Sequence, residues 1–141
     1  MAVTREATTL WFGDLPSGSG TVSLDTSDAG EFPITWAARS GDEGGKTTPE
    51  ELIGAAHSAC FSMAFSHALG GNGTPPESLQ VTAAVTFVPG TGITGSHLLV
   101  SAKVPGLSED DFQRIAEEAK AGCPVSQALA GIQITLEASL A

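Results

Sequence analysis

Apolar residues recur along several segments of the chain at the spacing of β-strands. They alternate with polar or small residues over residues 79–87, 98–104 and 132–140, which is the period of a strand with one buried face. Residues 7–12 and 20–25 also have the composition of strands, and the residues between them are turn formers. We therefore expect a β-hairpin at the start of the chain and a second antiparallel pair over residues 79–104.

A long helix is predicted between these two groups of strands. Thr48 is a suitable N-cap, Pro49 fits the first helical position, and Glu51 completes a capping box. Residues 52–69 contain no Asp, Glu, Lys or Arg and are apolar or small on every side. This composition predicts a central, buried helix that ends at the Gly- and Pro-rich residues 70–76. A membrane span is disfavoured, because Gly, His and Ser dilute the run and no basic cluster flanks it.

The remaining elements complete a mixed fold. A third strand is expected over residues 32–39, followed by a loop over residues 40–46. Ser108 opens an amphipathic helix that ends at Gly122, and a short helix is predicted over residues 125–130. This order predicts an α+β domain with a long buried central helix packed on antiparallel sheets.

Charge and cysteine content narrow the possible functions. The formal net charge is −10, with six Lys and Arg against sixteen Asp and Glu. Such a surface opposes binding to nucleic acid or to anionic membranes. The first residues lack an apolar segment behind a basic start, so we expect a cytoplasmic protein. The two cysteines are then expected to be free, catalytic or redox-active, with two inert buried thiols as the alternative.

The two cysteines have different local contexts. Cys123 precedes Pro124 at a helix start, where the helix dipole lowers the pKa of a thiol and favours reactivity. Cys60 lies well inside the apolar helix, where burial raises the pKa, so a reactive Cys60 needs a cation from elsewhere. Arg39 is the best candidate cation, and Glu50 is suited to hold it by a bidentate ion pair. Local sequence alone favours the alternative, in which Arg39 is a strand-end charge and Glu50 a first-turn carboxylate, each serving solubility and the helix dipole.

The histidines offer weaker signals. His57 lies on the same helical face as Cys60, so an acid-base or metal-binding role is conceivable, although a hydrogen-bonded core histidine is favoured. His67 is about 10 Å from Cys60 along the helix axis, too far for one zinc ion to bind both. His97 lies in or beside a predicted strand and is expected to be structural. We expect neither a metal nor a cofactor.

Two segments carry a family resemblance. They are PEELIGAAHSACFSMA at residues 49–64 and AKAGCPVS at residues 119–126. Together they resemble the osmotically induced protein C (OsmC) family, which is related to the organic hydroperoxide resistance (Ohr) proteins. The resemblance extends over most of the chain and implies one OsmC-like domain at residues 1–141. It further implies an intertwined homodimer in which each long helix is buried.

The resemblance also implies an activity and residue roles. The implied activity is a cysteine-based peroxidase for oxidative stress defence, which reduces organic hydroperoxides to alcohols and is recycled by a dithiol, expected to be a dihydrolipoyl group. Cys60 matches the peroxidatic cysteine, Cys123 the resolving cysteine, Arg39 the thiolate-stabilising arginine, and Glu50 the carboxylate partner of that arginine. The Ohr branch takes its arginine from the first hairpin, but residues 10–31 here contain none. The chain therefore groups with OsmC.

Substrate preference and competing functions complete the expectations. Phe61, Met63 and Phe65 give Cys60 apolar neighbours, which favours an organic hydroperoxide over hydrogen peroxide. One competing function is a non-catalytic small-molecule-binding or structural dimer of the same fold, in which the cysteines are only packed. Another is hydrolytic or transferase chemistry through Cys60 with His57 as the base, for which the sequence offers no evidence of an oxyanion hole.

Overall fold

A computed structural model of the chain describes residues 1–41 and 43–141. Contacts divide the chain into two compact units, Met1–Pro49 and Glu50–Ala141. Asp42, which belongs to the predicted loop, lies outside the described residues.

The first unit contains a three-stranded antiparallel sheet. Its strands are β1 (Thr8–Phe12), β2 (Ser19–Ser23) and β3 (Glu31–Ile34), and their spatial order is β1-β2-β3. β1 and β2 pair antiparallel, so the hairpin predicted at the start of the chain is confirmed.

A short helix follows the third strand. Helix α1 covers Trp36–Ser40, so the prediction of a strand that continues to Arg39 is wrong beyond residue 34. The Thr35 hydroxyl accepts a hydrogen bond from the Ala38 N–H at 3.1 Å and caps the helix start. Gly41, with φ of 98°, ends the helix in the left-handed conformation. The caps at Thr35 and Gly41 therefore favour a helix more strongly than the bulky residues of this segment favour a strand. As a result, Arg39 lies in the last turn of a helix and not at the end of a strand.

The second unit contains a mixed three-stranded sheet. Its strands are β4 (Ser78–Val88), β5 (Gly92–Lys103) and β6 (Gln133–Leu140), in the order β4-β5-β6. β4 and β5 form the predicted antiparallel pair, whereas β6 runs parallel to β5. The expectation of antiparallel sheets is therefore wrong for this one pair. The chain between β5 and β6 forms two helices, and such a crossover returns the chain to the starting end and permits parallel pairing.

Three helices accompany this sheet and agree closely with the predictions. Helix α2 spans Pro49–Gly71, α3 spans Glu109–Gly122, and α4 spans Pro124–Ala128. The Ser108 hydroxyl accepts a hydrogen bond from the Asp111 N–H at 3.3 Å, so the predicted cap of α3 is present.

The core of the second unit lies between the sheet, α2 and α3. Three phenylalanine rings from the two helices contact each other, with centroid distances of 5.4 Å between Phe61 and Phe65 and 5.5 Å between Phe65 and Phe112. The residues around these rings are apolar and buried. They are Leu69, Leu98, Val100, Ala102, Val104, Ile115, Ala116 and Ala119.

Helix α2 is buried along one stripe and exposed on the opposite face. Gly54 lies on the buried stripe, where an added Cβ would be 2.8 Å from the Ala83 carbonyl oxygen, so glycine permits the helix to approach β4 closely. Ala55, Ala59 and Met63 are exposed, Met63 at 70%. The single chain thus does not bury the helix on every side, because its own sheet and helices cover only one side. By length and composition alone, this helix also meets the criteria for a membrane span.

Candidate active site

The two cysteines lie against each other although 63 positions separate them. Cys60 is half-buried in the middle of α2, and Cys123 is fully buried at the junction of α3 and α4. Both thiols are free, and their sulfur atoms are 2.9 Å apart. A disulfide bond is about 2.05 Å long, so a small movement would join the two sulfurs.

The helix junction explains how Cys123 reaches this position. Its N–H donates to the Ala119 carbonyl at 2.9 Å and closes α3, and its carbonyl accepts from the Gln127 N–H at 3.0 Å and starts α4. Pro124 occupies the first helical position, as predicted, and the thiol makes no capping hydrogen bond. The backbone of Cys123 therefore serves both helices, while its sulfur is left to face Cys60.

The pKa values of the two thiols are shifted in opposite directions, as their sequence contexts predicted. Burial raises the pKa of the Cys60 thiol, and its hydrogen bond to Cys123 raises it further, against a smaller lowering by the Val125 N–H. Burial also acts to raise the pKa of Cys123. The hydrogen bond with Cys60 and the polar groups of Ser126 and Val125 at the start of α4 outweigh burial, so the pKa of Cys123 falls below its ordinary value. The N-terminus of α4 therefore favours a thiolate on Cys123.

A buried histidine adjoins the cysteine pair. His57 is fully buried, as the favoured core-histidine interpretation predicted. Its Nδ1 is 2.7 Å from the Ser96 hydroxyl, and its Nε2 is 2.8 Å from the Ser126 hydroxyl. Burial lowers the pKa of His57, so the ring is neutral near pH 7. Because Ser126 belongs to the short helix α4 that begins directly after Cys123, these contacts connect His57 to the element that follows the buried thiol.

Sequence reasoning did not identify the two serines as site residues. Ser126 lies within the second resembling segment, three positions after Cys123, which is the spacing at which a helix-start residue meets the first turn. That spacing was an available signal. Ser96 carries no such signal, because its partner His57 is 39 positions away.

The other two histidines make no contact of this kind with the thiols. His97 on β5 pairs its Nδ1 with the Thr135 hydroxyl on β6 at 2.6 Å, which fits the predicted structural role. His67 is exposed near the end of α2. Among the described residues, no group of three or more His, Cys, Asp or Glu side chains is arranged to hold a metal ion.

Arg39 and Glu50 belong to different compact units. Arg39 is half-buried in α1 and borders a cavity of ≈ 90 Å³ in the first unit, together with Trp11, Leu15 and Trp36. Glu50 lies in the first turn of α2 and is only 6% exposed. A carboxylate this buried is costly unless it is paired. The pairing of Glu50 with Arg39, and of Arg39 with the Cys60 thiolate, stays a prediction.

A family model and a full-length relative both match this chain. The model of the family described as "OsmC-like protein" matches residues 41–137. The chain is 43% identical over 143 residues to the peroxiredoxin OsmC of Escherichia coli (strain K12), and the match covers 99% of each chain.

Solved structures show the same fold. An organic hydroperoxide resistance protein from Elizabethkingia anophelis superposes with a TM-score of 0.75 at 26% identity, over 100% of this chain and 99% of that one. The organic hydroperoxide resistance protein OhrB of Bacillus subtilis superposes with a TM-score of 0.75 at 24% identity, over 97% and 98% of the two chains. The family model and the full-length relative together show that the chain belongs to the OsmC family.

Proposed function

We propose that this protein is a thiol-dependent peroxidase that reduces organic hydroperoxides to alcohols in defence against oxidative stress. The observation that carries this proposal is the pair of free thiols, Cys60 and Cys123, with sulfurs 2.9 Å apart. Membership of the OsmC family supports it, and relatives are named as a peroxiredoxin and as organic hydroperoxide resistance proteins.

Cys60 is the cysteine that attacks the peroxide. It is half-buried and so is accessible to a substrate, whereas Cys123 is fully buried behind it. The Cys60 thiolate attacks one peroxide oxygen, the O–O bond breaks, and the departing alkoxide takes up a proton to become the alcohol. The attacked oxygen stays on Cys60 as a sulfenic acid.

Cys123 resolves this intermediate. Its thiolate attacks the sulfur of the Cys60 sulfenic acid, hydroxide departs and takes up a proton to form water, and a disulfide joins the two residues. The lowered pKa of Cys123 increases the fraction of the attacking thiolate. Because the two sulfurs are already in contact, the disulfide can form without a large movement of either helix. An external dithiol then reduces the disulfide and is itself oxidised, and we propose a dihydrolipoyl group in this role.

Arg39 and Glu50 complete the proposed site. Because burial raises the pKa of Cys60, the attacking thiolate needs a stabilising positive charge. A guanidinium stays protonated at any physiological pH, so Arg39 suits this role, and the buried Glu50 carboxylate suits the role of its partner.

The preference for organic hydroperoxides rests on the relatives and on the apolar composition of α2. Phe61 and Phe65 are fully buried in the core of the second unit, whereas Met63 is 70% exposed on the opposite face. Of the three residues considered from the sequence, Met63 is thus the one whose side chain is not part of the core of the second unit. Side-by-side kinetics with cumene hydroperoxide and hydrogen peroxide test this preference, and faster reduction of hydrogen peroxide would contradict it.

We further propose that the protein forms a homodimer and is located in the cytoplasm. The exposed face of α2 carries Ala55, Ala59 and Met63, and covering such a face by a second copy gives the homodimer implied by the resemblance. The match to the Escherichia coli relative covers 99% of this chain and therefore spans both compact units, which supports treating residues 1–141 as one domain. We also propose a cytoplasmic location, where reducing conditions return the disulfide to two thiols.

The decisive experiment is an intact-mass measurement on the reduced protein after one equivalent of cumene hydroperoxide. We expect each chain to lose two hydrogens, with Cys60 and Cys123 mapped to one disulfide, and we expect one equivalent of alcohol. Cys60→Ser should abolish both changes. Cys123→Ser should release one equivalent of alcohol and gain one oxygen on Cys60, without recycling. Unchanged mass in the folded protein, beside reaction in an unfolded control, would favour the non-catalytic binding or structural dimer.

A further inference from the structure

The sulfurs of Cys60 and Cys123 face each other and offer two soft ligands to a single bridging atom. Both thiols are free, and the two sulfur atoms are 2.9 Å apart. Cys60 is half-buried, so its sulfur is open to a small molecule, whereas Cys123 is fully buried behind it. Thiolate sulfurs bind soft centres in preference to hard cations. The pair therefore suits a thiophilic atom that bonds first to Cys60 and then to Cys123.

The surroundings of the pair limit such an atom to two bonds from the protein. Over residues 1–41 and 43–141, no group of three or more His, Cys, Asp or Glu side chains is arranged to hold a metal ion. His57 lies in the preceding turn of α2, but both of its ring nitrogens are hydrogen bonded to serine hydroxyls, at 2.7 and 2.8 Å. A zinc ion prefers four ligands and would lack two of them here. Trivalent arsenic that carries one organic group needs only two further bonds.

The distance between the sulfurs favours an angular bridge over a linear one. With bonds of about 2.3 Å, the length of a zinc–thiolate bond, a right-angled bridge holds two sulfurs about 3.3 Å apart, and a linear bridge holds them about 4.6 Å apart. Starting from 2.9 Å, the sulfurs must separate by about 0.4 Å in the first case and by about 1.7 Å in the second. Trivalent arsenic forms angular bridges, whereas mercury(II) with two thiolates is linear. Because Cys123 is buried and its backbone joins α3 to α4, the smaller separation is favoured.

We propose that the Cys60–Cys123 pair binds organic compounds of trivalent arsenic, of the type R–As(OH)2, in a ring that contains both sulfurs. Each thiol loses its proton, two As–O bonds break, two As–S bonds form, and two molecules of water leave. No atom changes its oxidation state, so binding requires neither a peroxide nor a reductant. The inference therefore goes beyond the proposed peroxidase function. Its consequence for that function is that both reacting thiols are blocked.

The fold gives this ring its advantage over a single arsenic–sulfur bond. Once arsenic has bonded to Cys60, the second sulfur is already in contact, although 63 positions separate the two residues in the chain. The second bond then forms within one molecule, at a high effective concentration. An arsenical held by one cysteine lacks this contribution and exchanges with free monothiols. Resistance to monothiols is thus the property that identifies the ring.

The first test is an anaerobic titration of the reduced protein with phenylarsine oxide, followed by intact mass. We expect each chain to gain one phenylarsenic group and to lose two hydrogens. The complex should persist in excess 2-mercaptoethanol and release its arsenic to 2,3-dimercaptopropanol. Cys60→Ser and Cys123→Ser should each bind at least about a hundredfold more weakly, because the second bond is lost. Equal affinity in the parent protein and in either variant would overturn the proposal.

A relocated thiol tests whether the pairing, and not the number of cysteines, is responsible. Cys123→Ser combined with Ser62→Cys keeps two thiols in each chain. Positions 60 and 62 both lie in α2, and residues two apart on a helix do not face each other. We therefore expect the double variant to bind phenylarsine oxide as weakly as Cys123→Ser alone. Recovery of the parental affinity would show that any two thiols suffice and would contradict the geometric argument.

X-ray absorption at the arsenic edge identifies the ligands of the bound atom. We expect two sulfurs and one carbon in the complex of the parent protein. In the complex of Cys123→Ser we expect one sulfur, with oxygen in place of the second. One sulfur and one oxygen in the parent complex would refute the bridge, even if the affinity were high.

The outcomes separate this inference from the proposed function. A parent protein that forms no alcohol from cumene hydroperoxide but binds phenylarsine oxide through both sulfurs contradicts the peroxidase proposal and supports the inference. A parent protein that forms alcohol but binds the arsenical no better than Cys123→Ser refutes the inference alone. If both proposals hold, one equivalent of phenylarsine oxide should abolish alcohol formation, and 2,3-dimercaptopropanol should restore it.

Discussion

Phe65 anchors the helix that carries Cys60, and its removal should destabilise the second unit strongly. The side chain is fully buried, and its ring contacts those of Phe61 and Phe112 at centroid distances of 5.4 and 5.5 Å. Replacing a buried phenylalanine by alanine costs about 3–5 kcal/mol, from lost transfer energy and the cavity left behind. Each ring contact accounts for about 0.5–1.5 kcal/mol beyond burial. We therefore expect Phe65→Ala to lose about 3–5 kcal/mol of unfolding free energy.

Urea denaturation followed by circular dichroism measures this loss directly. The comparison requires the same protein concentration for parent and variant, because the stability of a dimer depends on concentration. Phe12→Ala provides a matched control, since Phe12 is 66% exposed in the first unit and the same substitution there should change stability by no more than about 0.5 kcal/mol.

The Phe65→Ala substitution should also slow the reaction between the two thiols. Phe65 lies on the buried stripe of α2, and loosening this stripe frees the helix from the sheet that also holds Ser96. We expect disulfide formation after peroxide treatment to slow in Phe65→Ala under conditions where the protein is still folded. A loss below about 1 kcal/mol, or a loss equal to that of Phe12→Ala, would refute the assignment of Phe65 to the core.

Two further predictions concern pH and assembly. Burial lowers the pKa of His57 below its ordinary 6.5, so the unfolded chain binds a proton that the folded chain does not. This difference does not change the free energy of unfolding at pH values well above 6.5, but it decreases that free energy as the pH falls below 6.5. Urea unfolding between pH 8 and 5 should therefore show a smaller decrease of the unfolding free energy for His57→Gln than for the parent protein. Equal decreases in the two proteins would contradict this prediction. For assembly, Ala55→Arg places a charge on the exposed face of α2 and should convert a dimer to a monomer in sedimentation velocity, whereas Asp110→Arg on α3 should not. Dimers of equal stability in both variants would exclude this face from the interface.

Local patterns in the sequence were sufficient for most elements of the fold. The alternation over residues 79–87 identified β4, and Ser108 identified the start of α3, because each signal acts over a few neighbouring residues. The same is true of Cys123, whose place before Pro124 predicted both the start of α4 and the direction of its pKa shift.

Features that depend on distant residues could not be predicted in this way. The parallel pairing of β6 depends on where the crossover leads the chain, and the alternation in β6 is the same for either direction. The Ser96 and Ser126 hydroxyls meet His57 across 39 and 69 positions, and no local spacing encodes such a contact. Helix α1 was missed for a different reason: the bulky residues Ile34 and Trp36 favour a strand, and the N-cap at Thr35 that starts the helix was not recognised from the sequence.

The crossover between β5 and β6 determines when the thiol pair forms during synthesis of the chain. Cys123 lies within this crossover, and β6 follows it at Gln133–Leu140. A ribosome-bound chain that ends before this point holds Cys60 without its partner. Contacts across so many residues form slowly because a long loop must close first. We therefore expect the growing chain to carry an isolated Cys60 thiol, and peroxide-driven disulfide formation to begin only after β6 has docked on β5.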